Sequence, residues 1–406
     1  MPPHPDSATA EKNLRSGSSV WKERQPPCSA LIDSIRADIV VVGAGVSGAF
    51  MAHAMSKKFE NVVVVDRRAP ARGSTAASTA MLQFEIDTPL TKLADKIGMA
   101  SAARAWRRSW RATQALVKLV QAENIRCGLR RASTLYLAGS DMGFRGLEKE
   151  NRARHRAALP GEYLAAEKLR EIFSIDRTGA IFSPGAASAD PVRLTDGLLR
   201  RAIQSGVRLF SPVEIKKVMA TPHGVTLDTG KHFIEAKYAV FCTGYELLKD
   251  VPREGTKITS SWAVATRPRA NYPRWLDETL VWEASTPYLY MRTTPDKRLI
   301  VGGEDEDIDL PSYRARSLER KAGRLTAKTK KLIPGIELSI GHTWSGAFGE
   351  SEDGLPIIDA VPDMPNCYVV MGFGGNGTIY SLIASQIVPT LIKGRTDKDA
   401  DIFRFR

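Results

Sequence analysis

Cysteine is scarce in this sequence. Its four copies, Cys28, Cys127, Cys242 and Cys367, stand far apart with no CxxC pair, which excludes a disulfide framework and a thiolate metal centre and suits reduced thiols in a cytoplasmic setting. Long apolar runs are lacking too, and none approaches the roughly 20 residues of a membrane-spanning helix. The stretch from Met1 to Lys22 has no apolar core ahead of a cleavage site, so no secretory signal is expected. A metal-ligand set and a nucleophile triad are both missing. The basic residues carry no recognisable nucleic-acid motif, so no nucleic-acid partner is expected.

What is present is an ordinary globular composition, 43% hydrophobic and 25% charged over 406 residues. That length suffices for a large core, as two domains or one elaborated one. The net charge of +13 is uneven, with 15 Lys/Arg against 6 Asp/Glu between Ser101 and Arg170. Such a window is either a solvated helical face or a surface that attracts an acidic protein, an anionic substrate or a peripheral membrane.

The stretch from Ala37 to Arg68 organises the rest. Ile39 to Val42 form a β-branched run suited to a buried parallel strand. A turn follows through Gly43-Ala44-Gly45-Val46-Ser47-Gly48, then an Ala/Met-rich helix from Ala49 to Lys58, then Val62 to Val65 ending in Asp66. Gly43 permits the tight turn, Gly45 lets a pyrophosphate approach the backbone, and Gly48 lets the helix lie close on the sheet. The helix N-terminus presents free N–H groups to phosphate, and a carboxylate at Asp66 can accept hydrogen bonds from a ribose hydroxyl pair. Arg67 and Arg68 would favour a 2′-phosphate that the acid repels. The motif by itself does not separate FAD from NAD.

Ahead of this unit, residues 1–36 read as an extended arm that Trp21 and Leu31 pin to the body. After it, the small-residue tract Ala71 to Ala80 includes Gly73, Ser74, Thr75, Ser78 and Thr79, which lets donors crowd around a phosphate or ribityl chain. Gln83, Glu85 and Asp87 alternate with apolar residues and share one face, turned either to a pocket or to water. Helical patterns cover 88–98 and 99–123, the second with Trp106 and Trp110 as packing residues; strands over 127–137 and helices over 143–158 and 165–173 follow. A helix from Leu194, strands near 207–210, 224–227 and 231–235, and an apolar strand into Cys242-Thr243-Gly244 come next. Tyr288, Tyr290 and Arg292 alternate along one strand and face one side, where two phenols and a guanidinium suit an anionic or aromatic group, or else form a sheet surface with a salt bridge. A basic helix is expected over 312–332.

Near the end, the apolar run Cys367 to Met371 leads through Gly372-Phe373-Gly374-Gly375-Asn376-Gly377-Thr378 into a helix over 379–392. Two glycine turns so far apart suit the wrapping of one long cofactor, which favours FAD over NAD.

Together, Gly43 to Gly48 with Asp66, Gly73-Ser74, Cys242-Thr243-Gly244, Arg298 to Gly303, Trp344-Ser345-Gly346 and Gly372 to Gly377 resemble the D-amino-acid oxidase superfamily, which includes glycine oxidase, sarcosine oxidase and gamma-glutamylputrescine oxidase. The resemblance implies an α/β fold. It has a discontinuous Rossmann-like FAD-binding domain (37–82, 185–254 and 345–406) and an inserted α+β substrate domain on an antiparallel sheet (83–184 and 255–344). It implies non-covalent FAD held by Gly43, Gly45, Val46, Ser47, Gly48, Asp66, Arg67, Gly73, Ser74, Thr75, Ser78, Thr79, Ala80, Val213, Thr243, Gly244, Trp344, Gly346, Gly372, Gly374, Gly375, Asn376, Gly377 and Thr378. Gln83, Tyr288, Arg292 and Phe348 would face the reaction, a hydride transfer from an amine or amino-acid carbon to flavin that leaves an imine for water to split.

Departures from the family pattern are informative. Phe348 stands where glycine-oxidase-like members place an arginine for the substrate carboxylate, so Arg292 or a cationic substrate meeting Gln83 and Glu85 becomes the alternative. Ile300 stands where sarcosine-oxidase-like members place a lysine that assists oxygen, so a quinone or another carrier competes with oxygen as acceptor, as does a role as the flavoprotein subunit of a larger complex. Sarcosine-oxidase-like members also carry a cysteine for covalent flavin attachment close to this loop; no residue from Trp344 to Glu350 is cysteine, so non-covalent FAD is expected.

Overall fold

A computed structural model describes residues 7, 12–246, 251–252, 255–268 and 272–406. Parts of the expected arm and of the 185–254 segment lie outside these residues.

Two sheets divide the described chain. The first runs in the order Ile357–Ala360, Cys367–Met371, Phe233–Phe241, Ile35–Val42, Val62–Val65 and Arg208–Phe210. All neighbours are parallel except the outermost pair, Ile357–Ala360 with Cys367–Met371. The hairpin Lys217–Thr221 and Gly224–Asp228 extends from Phe233–Phe241. Alternation along the central strands buries both faces, as parallel sheets require. Ile39, Val41, Val62 and Val64 pack under the helices Val46–Met55, Met99–Ala122, Pro191–Gln204 and Gly377–Ile392. Val40, Val42, Val63 and Val65 turn to the opposite side, against Val225, Leu227 and Ile234.

The second sheet, of ten strands among the described residues, runs Arg15–Gly17, Ile340–Ser351, Thr256–Thr266, Leu299–Glu306, Leu289–Thr293, Thr279–Glu283, Arg130–Leu137, Gly179–Ser188 and Met81–Leu82, with Glu162–Ala165 beside Gly179–Ser188. It is antiparallel apart from one pairing, Thr279–Glu283 with Arg130–Leu137. Met81–Leu82, Gly179–Ser188 and Ile340–Ser351 all belong to it, so strands run up to or across each expected boundary at 82/83, 184/185 and 344/345.

Some elements differ from expectation. The stretch expected as strands at 231–235 and beyond Tyr238 is the single strand Phe233–Phe241, and the basic helix divides at Ser317 into Pro311–Arg316 and Leu318–Leu332. Much of the basic surplus in 101–170 is paired internally. Arg104 and Arg108 reach Asp397, Asp399 and Asp401, while Arg154 is fully buried beside Glu150. No helix among the described residues is long and apolar enough to cross a membrane.

Candidate active site

Both glycine turns open on one cavity of about 690 Å³, within the roughly 300–1,000 Å³ of ligand clefts. Its first wall is the turn 43–48. Gly43 has φ +110° and a Cβ there would lie 2.4 Å from the Cys242 carbonyl oxygen, while a Cβ at Gly48 would lie 1.8 Å from the Gly43 carbonyl oxygen. A Cβ at Gly45 would meet Thr75 Oγ1 at 3.1 Å and otherwise open space, so the room above it is left for a ligand. Asp66 Oδ2 accepts from the Ala44 N–H (2.6 Å) and Oδ1 from the Arg68 N–H (2.8 Å). Burial holds its carboxyl above the usual range, and its remaining lone pairs can serve a ribose hydroxyl pair.

The tract 71–80 forms the second wall, pinned at three consecutive carbonyls. Trp344 Nε1 donates to Ala77 (2.8 Å), Trp21 Nε1 to Ser78 (2.7 Å) and Arg292 Nε to Thr79 (2.6 Å). The N-terminal strand Arg15–Gly17 adds to the edge of Ile340–Ser351, pairing Ser16 with Ser345. This anchors the arm as expected, through Trp21, and brings Leu14 to the cavity wall.

The second glycine turn closes the far side. Asp87 Oδ2 accepts from the Gly375 N–H at 2.6 Å, and Asn376 Nδ2 donates to the Glu85 carbonyl at 2.5 Å. Beyond it, Gln83, Ser261, Trp282, Tyr288, Tyr290 and Phe348 face the same space. The Tyr288 and Tyr290 rings lie 5.5 Å apart, and Trp282 stacks on Tyr136 at 3.9 Å. Gly302 leaves room for Tyr290, whose phenol oxygen would be 2.3 Å from a Cβ there. Asp305, which lies beside the Ser261 and Tyr288 hydroxyls, has its carboxyl pushed up to about 7, chiefly by burial and further by Glu350 and Asp87, against the lowering pull of those hydroxyls.

Of the anticipated residues, all line this cavity except Gly48, Gly372 and Arg292. Gly48 acts through helix–strand packing, and Gly372 turns the chain at φ +72° behind the wall. Arg292 is a correction: its guanidinium bonds the Thr79 and Ala189 carbonyls, lies 5.1 Å from the Trp21 ring centre and is 1% exposed. It anchors backbone and has no face for substrate. The shared face of Gln83, Glu85 and Asp87 also needs correcting. Gln83 and Asp87 line the cavity, whereas Glu85 is fully buried with Thr134 and Arg154, because 83–89 is not an extended strand. Ile300 is sealed behind Trp344, Ala263 and Ala265. Asp305, Ser261 and Trp282 were not anticipated. Only a register shift between Ser260 and Trp262 brings Asp305 to Ser261, and that irregularity has no local sequence signature.

The residues present fit FAD. A glycine cradle with an acid stands at one end, a second glycine turn at the other, and the buried Thr243 Oγ1 and Gln83 Oε1 on the walls have no partner among the described residues.

Residues 38–389 match the family described as FAD dependent oxidoreductase, and the chain belongs to it. It is an FAD-dependent enzyme. Glycine oxidase of Geobacillus kaustophilus is 23% identical over 370 residues, covering 88% of this chain and 93% of that protein. Gamma-glutamylputrescine oxidoreductase of Escherichia coli is 23% identical over 382 residues, covering 92% and 87%. Among solved structures, L-proline dehydrogenase from P. horikoshii superposes with a TM-score of 0.74 at 20% identity, covering 91% of this chain and 97% of that one.

Proposed function

We propose that the protein oxidises the C–N bond of an amine or amino acid. One observation carries this reading: a single cavity joins the dinucleotide cradle at 43–48 to an aromatic pocket walled by Trp282, Tyr288 and Tyr290, with Gln83 Oε1, which has no partner among the described residues, on the same wall. The similarity to glycine oxidase and gamma-glutamylputrescine oxidoreductase supports it.

Bound FAD supplies a two-electron acceptor for the hydride leaving the substrate carbon, the N–H proton passing to water and the resulting imine being split by water into carbonyl and free amine. The chain's own residues position and shield. The aromatic walls exclude bulk water, and Gln83 Oε1 can accept a substrate N–H that would otherwise be lost to solvent. Asp66 and the 43–48 turn hold the distant nucleotide, so the reacting end is placed by contacts far from it. With Ile300 buried where a lysine would assist oxygen, a dehydrogenase passing electrons to a quinone or protein carrier is the second reading.

Anaerobic bleaching of the purified yellow protein by a panel of amines and amino acids tests the first reading. Hydrogen peroxide release in air marks an oxidase, and dye reduction without oxygen uptake marks a dehydrogenase. A protein that no amine or amino acid bleaches sinks the proposal.

A further inference from the structure

The substrate end of the cavity has an unbalanced set of charges. Among the described residues that line the cavity, the Lys and Arg side chains are Lys12, Arg67, Arg68, Lys216 and Lys217. These belong to the Asp66 end, where Lys12 and Arg67 pair with Glu214 and Arg68 with Glu246. Arg292, the cation expected nearer the reaction, is used up by backbone carbonyls. Acids occupy the other end. Asp87 opens on the cavity, Asp305 lies behind Ser261 and Tyr288 with Oδ1 lacking a partner among the described residues, and both act electrostatically on Tyr288 and Tyr290. Gln83, 5% exposed, adds a bare acceptor oxygen to the same wall. Trp282, Tyr288 and Tyr290 add ring faces of the kind that attract cations when desolvated.

A carboxylate of a substrate would therefore meet acids, a bare carbonyl oxygen and π-faces, with no cation to offset its burial. A positive charge meets complementary groups on every side. The reacting nitrogen cannot be that charge, because hydride departure needs its lone pair and nearby carboxylates would hold it protonated. Resting on the amine-oxidation reading above, we propose that the substrate is an amine carrying a second, non-reacting cationic nitrogen, which Asp87, Asp305, Gln83 and the Trp282–Tyr288–Tyr290 rings recognise in place of an α-carboxylate.

The test uses the flavin-loaded enzyme and two unreactive probes, tetramethylammonium chloride and sodium acetate, followed by the visible spectrum of the bound flavin and by tryptophan fluorescence. The expected result is saturable perturbation by tetramethylammonium and none by acetate. Asp305→Asn weakens the cation at least tenfold with flavin content unchanged. Asp87→Asn does the same where the Gly375 contact survives, and Asp305→Asn carries the test where it does not. In turnover, 1,4-diaminobutane has a KM at least tenfold below that of butylamine, and Asp305→Asn erases that difference. The inference is overturned if acetate binds more tightly than tetramethylammonium, if neither binds, or if Asp305→Asn leaves cation affinity intact. Cation binding in an enzyme that no amine bleaches would sink the C–N oxidation reading and leave the cation site standing.

Discussion

The Asp87 carboxylate accepts the Gly375 N–H at 2.6 Å, fastening the segment after the Met81–Leu82 strand to the second glycine turn. Residues from opposite ends of the chain thereby share one wall, and four predictions follow from how the walls are held.

Gly48 and Gly45 should respond differently to the same added methyl group. At Gly48 the Cβ would overlap the Gly43 carbonyl, which neither backbone can yield, so Gly48→Ala is expected to give insoluble or flavin-free protein. At Gly45 only Thr75 Oγ1 must give way. Gly45→Ala should fold with a near-native melting temperature and bind FAD at least tenfold more weakly, as read by flavin release on dilution, because the methyl fills ligand space.

Arg292→Met should behave as a stability variant. It leaves the Thr79 and Ala189 carbonyls without their donor, at about 1–3 kcal/mol each, and removes the cation over Trp21, worth about 0.5–2 kcal/mol. Melting should fall by several degrees and flavin retention with it. A selective loss of carboxylate-bearing substrates, at unchanged melting temperature, would contradict the anchoring role.

Asp305 sets a pH dependence whose sign can be worked out. Its folded pKa, about 7, lies above the ordinary value of 3.8, mainly through burial, with Ser261 and Tyr288 opposing and Glu350 and Asp87 adding. The folded state therefore binds the proton more tightly than the unfolded chain, and this contribution is full below about pH 4 and lost as pH rises through 7. Asn cannot ionise, so Asp305→Asn should gain stability relative to the parent between pH 5 and 8 in urea-unfolding series. Parallel curves would remove Asp305 from the account.

Phe348→Arg places a guanidinium on a wall where the described residues put none near Tyr288. Phe348 lines the cavity from the Ile340–Ser351 strand, opposite Thr259. Acetate should then perturb the bound flavin at millimolar concentrations, and affinity for tetramethylammonium should fall. An acetate response no stronger than in the parent would show that the side chain is held away from the pocket.

Local features were readable in advance where local chemistry sets them. The 43–48 turn, Asp66, the 372–378 turn and the Tyr288/Tyr290 alternation are properties of short runs, and each stands at or behind the cavity wall. Arg292 was misread because its partners come from residues 21, 79 and 189, a convergence that no run of sequence contains. Glu85 went astray because 83–89 is not extended, so period-two alternation did not apply. Asp305 depended on a strand irregularity. The charge surplus of 101–170 overstated the basic surface, because Asp397, Asp399 and Asp401 from the far end of the chain fold back over the Met99–Ala122 helix.

The separation of the two glycine turns also fixes a sequence of events during synthesis. The ribosome delivers the 43–48 bend early, while the Gly374-Gly375-Asn376 turn on the opposite wall emerges more than three hundred residues later. A nascent chain lacking that segment has no Gly375 for Asp87, so this wall of the pocket is complete only once the far segment has been made. Until then the Val-rich central strands must be kept from sticking to other chains.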